Sequence, residues 1–320
     1  MLGLIGSARM EQKGGYSKNN VQDKVKVGIL GTGKIGTDLL IKAQRSPFLR
    51  CVMFAGRNEN SVGIQKAREL GIPTSTQSVD AFTGDLNCVD LVFDATSADH
   101  HRKHAPILAA KGIKVVDMTP ARVGSLCVPC LNNDIVLNEL NVNMVTCGGQ
   151  SSIPVFEVLA RVYPNLQSVK LHSYVTPDSI GPATIANIDD YYSTTKNAIS
   201  QFSGVENVNV VLDVDSAPGR REMLSVITAV IPECDLDRLY EPLRRRIQEM
   251  QQYVPGFTLH RAPSYRDGVL RVEVAVRGQG DWIPAHAGNL DIINCAAIAV
   301  AERYARQFME LGSNLYPNAA

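Results

Sequence analysis

The sequence predicts an α/β fold: a parallel sheet with helices on both faces, followed by a second unit of α+β character. Three observations predict it. Short apolar, β-rich runs alternate with helical segments from Lys24 to Cys147, the pattern of a parallel sheet with crossover helices. The first run ends in GTGKIG, a glycine turn that opens a helix. Beyond Cys147 the alternation gives way to several long strands with few helices between them, which suits an antiparallel or mixed sheet.

The elements follow in order. Residues 1–23 mix Gly, Ser, Lys and Asn without periodicity and are expected to be a disordered leader. KVKVGIL reads as a strand and TDLLIKAQRS as a helix, with Leu39, Leu40 and Ala43 at helical spacing. CVMFAG, LVFDAT, KVVDMT and NMVTC continue as strands, separated by helices over SVGIQKAREL and up to about Lys111. After Cys147 the pattern predicts a helix near 152–163, the strand SVKLHSYVT and a polar helix through YYSTTKNAISQF. Strands at NVNVVLDV, EMLSVITAVI, TLHRA and LRVEVAV come next, with one helix near 235–252 among them. The last helix, near 288–310, carries Ile292, Ile293, Ala296, Ala297, Val300 and Ala301 on or near one face and is expected to return to the first unit.

Bulk properties exclude whole classes of function. A chain of 320 residues that is 45% hydrophobic can bury a sizeable core and form two domains. Lys plus Arg equals Asp plus Glu at 32 each, so no net positive charge drives binding to nucleic acid or to an anionic membrane. No apolar stretch reaches the roughly 18 residues that span a bilayer, and MLGLIGSARM lacks the pattern of a secretory signal. The expected location is the cytoplasm. Seven cysteines, at 51, 88, 127, 130, 147, 234 and 295, form no small-domain disulfide framework and suit a reducing compartment.

GTGKIG follows a strand and opens a helix, the context in which such a motif binds a dinucleotide on a Rossmann-type sheet. Gly31 permits the tight turn, Gly33 lets the backbone approach a pyrophosphate, and Gly36 permits close helix–sheet packing. Thr32, Lys34 and Ile35 share the loop and should line the phosphates. At the end of the second strand AGRNEN offers Arg57 and Asn58, with Glu59 just beyond, where NAD enzymes usually place an acid. A guanidinium suits a 2′-phosphate, so NAD and NADP both stay open, with Arg57 as the reader or as a solvated loop residue.

Cys147 falls where NMVT ends as a strand and SSIPVFEVLARVY begins as a helix. With Ser151 or Ser152 as the cap and Pro154 in the first turn, the helix N-terminus is expected to stabilise its thiolate. Gly148 and Gly149 would expose backbone N–H groups for a developing oxyanion. The bland alternative is a buried core cysteine before a Gly-rich turn. A reactive thiol beside a nicotinamide implies one chemistry: aldehyde adds to sulfur, hydride leaves to the cofactor, and a thioester remains for a second nucleophile.

NVNMVTCGGQSSIP, together with LGTGKIGTDL, VFDATSA, DMTPARVG, GPATIANIDD, YVPGF and PAHAGNLDI, closely resembles the acylating acetaldehyde dehydrogenases, which oxidise short aldehydes to acyl-coenzyme A with NAD. The resemblance runs over about residues 24–312. It implies an NAD(P)-binding Rossmann domain from residues 24–146 and 290–313, and a catalytic and dimerisation domain from 147–289. It also implies coenzyme A as co-substrate, a small aldehyde or acyl-CoA as substrate, and a homodimer. Cys147 becomes the acyl-thioester nucleophile, and Thr32, Gly33, Lys34 and Ile35 fall on the family's cofactor loop. Ser179, Ile180, Gly181, Pro182, Ala183, Thr184, Ile185, Ala186 and Asn187, with Asn289, match its further NAD-contacting positions. Glu222 stands where the family places an Asp that orients or deprotonates the cysteine; the alternative is a surface strand residue. His286, where the family usually shows Tyr, receives no proton-transfer role.

Some features depart from that pattern. Ile185 replaces the family's usual Arg, and the stretch between VPGF and VEVAV is shorter than usual. The catabolic members work with an aldolase that feeds them aldehyde, and the shortened stretch counts against carrying that partner over. CVPC at 127–130 lacks a matching second ligand pair, so no metal is expected. HHRKH at 100–104 reads as the solvated start of a helix whose histidines meet no carboxylates, and Arg244, Arg245 and Arg246 as a solvated face, with a coenzyme A phosphate contact as the alternative. Two rival functions share the sequence features: a semialdehyde or acyl-phosphate reductase of related fold, and a non-catalytic nucleotide-sensing or scaffold protein.

Overall fold

The computed structural model describes residues 24–84, 89–181, 185, 187–214 and 222–315, the last five of these as helical backbone only. The expected leader, and the expected cofactor contacts Pro182, Ala183, Thr184 and Ala186, lie outside the described residues.

The first sheet is wholly parallel. It contains β1 (Val25–Leu30), β2 (Leu49–Ala55), β3 (Thr74–Ser75), β4 (Leu91–Asp94), β5 (Lys114–Asp117), β6 (Ser125–Leu126) and β7 (Asn141–Asn143), in the order β3-β2-β1-β4-β5-β7-β6. Its central strands are continuous apolar runs because helices cover both faces: every residue of β4 and β5 is buried. The strand order reverses between β1 and β4, so a crevice opens at their C-terminal ends. The crossover helices are α1 (Lys34–Arg45), α2 (Val62–Glu69) and α3 (Ala98–Ala110). Two short helices, α4 (Pro129–Asn132) and α5 (Ile135–Asn138), precede β7. The two-residue strands β3 and β6 carry no pattern of their own, which is why the sequence does not announce them.

The second sheet is mixed, in the order β11-β12-β10-β8-β9. Its strands are β8 (Ser168–Val175), β9 (Val208–Val214), β10 (Met223–Val230), β11 (Phe257–Arg266) and β12 (Val269–Val276), all antiparallel neighbours except the parallel pair β8 and β9. Alternation is clean on β8, where Val169, Leu171, Ser173 and Val175 are buried and Lys170, His172 and Tyr174 are not. The buried face packs on α6 (Cys147–Val162), α7 (Ile188–Ser203) and α8 (Leu236–Gln251). Within α6 Ile153, Val155, Phe156, Val158 and Leu159 are fully buried, so this helix is the spine of the second core.

The last helix, α9 (Gly288–Leu315), joins the two cores: Ile292 and Cys295 enter the second, while Ile293, Ala296, Ala297, Val300, Ala301 and Ala305 enter the first. A buried charge cluster ties the same elements together. Lys42 of α1 lies 2.8 Å from each of Asp38, Asp281 and Asp291. Burial alone would lower the lysine pKa, but the carboxylates of Asp291 and Asp38 outweigh it and hold Lys42 protonated. Asp38 also accepts the N–H groups of Trp282 and Ile283 at 3.1 and 3.2 Å.

Three expectations need correction. Arg246 is not on a solvated face: it is buried, donating to the Cys130 carbonyl and to Glu157 at 3.0 and 2.7 Å. Arg244 and Arg245 do face solvent, both paired with Glu241. The HHRKH histidines do meet carboxylates. His101 and His104 are buried and both reach Asp94 Oδ2 at 2.9 Å, and His101 Nε2 lies 3.3 Å from Asp117. One helical turn aims them inward at two strand ends, a convergence that linear spacing hides. Finally, α6 starts at Cys147 and not near residue 152.

Candidate active site

Local backbone chemistry places Cys147. Asn143, the last residue of β7, accepts the Val145 N–H on its side-chain oxygen at 2.9 Å. Val145 takes φ +62°, a left-handed conformation that is costly for a β-branched residue and that turns the chain out of the sheet. Thr146 then caps α6, its Oγ1 accepting the Gly149 N–H at 3.0 Å. Cys147 is the first helical residue. The expected cap at Ser151 or Ser152 is therefore wrong: both hydroxyls turn back onto the Gly148 carbonyl, at 3.0 and 2.7 Å, and Pro154 lies inside the helix. Gln150 braces the turn from behind by donating to the carbonyls of Cys127 and Met144, each at 2.8 Å.

Two chemical expectations change with that geometry. The Gly149 amide is taken by Thr146, which leaves the Gly148 amide, beside the sulfur, for an oxyanion. Cys147 keeps part of its surface open to a cavity, yet burial pushes its thiol up to about 11, against the opposing pull of the Gly148 amide and the Tyr191 hydroxyl. The resting group is a thiol; the helix end moderates the burial effect without overcoming it.

The cofactor loop is built for a close ligand. Gly31 has φ +113°, and a Cβ there would lie 2.5 Å from the Ala95 carbonyl oxygen. A Cβ on Gly36 would strike the Gly31 carbonyl, whereas one on Gly33 would meet nothing within 4 Å. Gly33 is also the N-cap of α1 with no side chain bonded across the end, so the first-turn amides face that open space. Thr32 Oγ1 accepts the Ser61 hydroxyl at 3.0 Å. Arg57, exposed just past β2, holds its guanidinium 2.9 Å from His100 Nε2.

Some of the other expected contacts, among the described residues, approach this loop from the second unit. Lys34 Nζ donates to the Asp178 carbonyl at 2.8 Å, and Asp178 Oδ2 lies 2.6 Å from His286 Nε2. Asn289 is buried and donates from Nδ2 to the Ser179 carbonyl at 3.2 Å, while its Oδ1 has no partner. One cavity is lined by Cys147, Ile35, Ile180, Asn187 and Asn289, together with Thr96, Thr119 and Tyr191. Gly181 is half-buried nearby in the chain, and Ile185 is 66% exposed. Glu222 is not brought to this lining: it is about one-third exposed, with His260 Nδ1 at 3.6 Å from its carboxylate.

Sequence reasoning missed the wall behind the cavity. Asp94, Asp117 and Asn143 end adjacent strands, and each accepts the backbone N–H two residues on, at Thr96, Thr119 and Val145. Those three residues all line the cavity. The repeat was visible as DAT, DMT and NMV, yet its meaning depends on the strands lying side by side. Tyr191 was also missed; it had passed as part of a polar helix.

A parallel sheet with a dinucleotide crevice, facing a cysteine on the leading turn of a second unit's helix, defines a class: nicotinamide-dependent oxidoreductases with a separate cysteine-bearing domain. Residues 26–142 match the family described as semialdehyde dehydrogenase, NAD binding domain, and residues 147–284 that described as prokaryotic acetaldehyde dehydrogenase, dimerisation. The chain is 45% identical to the acetaldehyde dehydrogenase of Spirochaeta aurantia, over 88% of this chain and 95% of the relative. It is 43% identical to that of Pectobacterium atrosepticum, over 88% and 96%. This chain belongs to the acetaldehyde dehydrogenase family, and it is an NAD-dependent oxidoreductase. Among solved structures, it shares its fold with aspartate semialdehyde dehydrogenase II of Vibrio cholerae (TM-score 0.58, 15% identity, 88% and 99% covered). The NADP-bound enzyme of Candida albicans is similar in the same sense (TM-score 0.61, 12% identity, 87% and 99% covered). Among the described residues no helix is long and apolar enough to cross a membrane.

Proposed function

We propose that this chain interconverts a short aldehyde and its acyl-coenzyme A through a thioester on Cys147. The observation that carries the proposal is the position of Cys147: first residue of α6, open to the same cavity that Ile35 of the cofactor loop and Asn289 of α9 line.

The residues fit a nicotinamide dinucleotide. The open space over Gly33 admits a pyrophosphate against the uncapped start of α1, and the orphaned, buried Asn289 Oδ1 awaits a donor. When bound, the nicotinamide supplies the hydride acceptor of an aldehyde oxidation. Cys147 Sγ, once deprotonated, forms a bond to the aldehyde carbon, and the Gly148 N–H beside the sulfur is a donor for the oxygen that gains charge. The same sulfur carries the acyl group as a thioester. The sulfur of coenzyme A, its proton lost to solvent, then attacks the acyl carbon, and Cys147 leaves as a thiolate. Arg57, exposed at the ribose end of the crevice, is the proposed reader of a 2′-phosphate.

In this reading residues 24–146 with 290–313 hold the cofactor, and residues 147–289 carry catalysis and dimerisation. The sheet face opposite α6 presents Lys170, His172 and Tyr174 from β8, Leu224 and Thr228 from β10, and Arg271 from β12, none of them buried. That mixed surface supports pairing of two copies as a homodimer. The reading also puts the enzyme in the cytoplasm, which keeps its thiols reduced. Aldehyde-dependent formation of NADH or NADPH tests the reaction: it should require coenzyme A. Activity that requires phosphate or arsenate instead would assign the chain to acyl-phosphate chemistry, and no turnover across a panel of short aldehydes would leave a nucleotide sensor.

A further inference from the structure

The proposed reaction needs Cys147 as a thiolate twice, once to attack the aldehyde and once to leave the thioester. Burial works against that ion, and the structure provides few groups to oppose it. Among the described residues lining the cavity, Cys147 and Tyr191 are the only titratable side chains; the other polar ones are threonines, a serine and asparagines.

Tyr191 is built toward the sulfur. It begins the buried face of α7, and its hydroxyl is buried with no hydrogen bond of ordinary geometry. The Ser173 hydroxyl lies beside it, close enough to act on its ionisation, and likewise has no hydrogen bond of ordinary geometry. Gly148 is needed for this approach, because a Cβ there would collide with the Tyr191 oxygen and sit 3.3 Å from Ser173 Oγ. The helix is also fastened to the nucleophile's own cap. Thr195 Oγ1 donates to the Tyr191 carbonyl at 2.6 Å and lies 2.7 Å from Thr146 Oγ1, while Thr194 Oγ1 donates to the Pro120 carbonyl at 2.9 Å. Tyr191 and Cys147 therefore keep a fixed relation.

We propose that Tyr191 is a catalytic residue: its buried phenol O–H donates a hydrogen bond to Cys147 Sγ whenever that sulfur is a thiolate, both when it attacks and when it leaves. Neutral sulfur is a weak acceptor and a thiolate a strong one, so this hydroxyl gains its strongest acceptor only in the ionised state. The phenol keeps its proton throughout, and the cysteine proton leaves to solvent. Burial and the neighbouring Cys147 hold the tyrosine pKa well above its ordinary value, which suits a permanent donor and rules out a base.

This inference rests on Cys147 being the nucleophile, and its test separates the two claims. In the full-length protein, the rate of iodoacetamide alkylation at the Cys147 peptide is followed by mass spectrometry against pH, for wild type and Tyr191→Phe. Loss of one charge-assisted hydrogen bond should move the inflection up by about one pH unit or more, with cofactor affinity retained. An inflection that stays in place in a variant that still binds cofactor overturns the role of Tyr191. Should that variant fail to fold, wild-type protein grown on 3-fluorotyrosine, whose more acidic phenols are stronger donors, should show an inflection moved to lower pH; no movement, or a rise, overturns the proposal. If wild type alkylates normally at Cys147 but never carries an acyl group there, the nucleophile reading fails instead.

Discussion

Replacing Lys42 by Met should be a costly change, comparable to truncating a large buried side chain of the first core. The ammonium has three carboxylates at 2.8 Å and is only 4% exposed. At an effective dielectric of about 20, one such pair attracts by roughly 6 kcal/mol before desolvation is charged against it. Removing the cation of a buried ion cluster, which leaves the anions uncompensated, costs about 3–5 kcal/mol. Asp38, Asp281 and Asp291 would then repel one another, and at least one would take up a proton, so the loss should be larger at pH 8 than at pH 5. Urea unfolding of wild type, Lys42→Met and Lys42→Met/Asp291→Asn measures it, and the double variant should recover part of the loss. A cost below about 1 kcal/mol at pH 8 would mean that the cluster is hydrated and does not fasten α1 to α9.

Other outcomes follow from the same geometry. Burial lowers the His101 pKa, but the carboxylates of Asp94 and Asp117 outweigh it and raise the net value. Its stabilisation is therefore complete below the unfolded value of about 6.5 and fades as pH rises through the higher folded value. His101→Gln should then differ from wild type in unfolding free energy more at pH 6 than at pH 9, and a pH-independent difference would contradict this. Gly148→Ala should destabilise by about 1–3 kcal/mol through overpacking and slow Cys147 alkylation by displacing Tyr191; differential scanning calorimetry and thiol kinetics check the two halves. Arg57→Asp should shift the NADP/NAD preference toward NAD, as measured by kcat/KM for each cofactor, and an unchanged ratio would remove the guanidinium from cofactor selection. Because Glu222 lies outside the cavity lining, Glu222→Gln should move the Cys147 alkylation inflection less than Tyr191→Phe does.

What the sequence made legible was whatever depends on local backbone chemistry or on periodicity. GTGKIG announced its turn because only glycine satisfies the close approaches at Gly31 and Gly36, and the central strands announced themselves as unbroken apolar runs. Cys147 stood out because a Gly-Gly pair follows it. The start of its helix was misread for a related reason: glycines are poor helix formers, so Ser151, Ser152 and Pro154 looked like the first turn, whereas Thr146 caps the helix and the glycines sit within it to admit Tyr191 and Val145. His101, Lys42 and Tyr191 were illegible because their meaning lies in how several elements come together around them. Asp281 and Asp291 approach Lys42 only after α9 has returned, and nothing along α7 signals that one tyrosine faces a cysteine on another helix.

Whether the sulfur of Cys147 carries the acyl group can be examined without any nicotinamide. Purified protein is mixed with acetyl-coenzyme A, quenched in acid and digested, and the peptides are weighed. An acetyl adduct is expected on the peptide bearing Cys147, absent in Cys147→Ala and discharged by added coenzyme A. An acetyl group on another cysteine, or none on any peptide from a protein that turns over aldehyde, would contradict this.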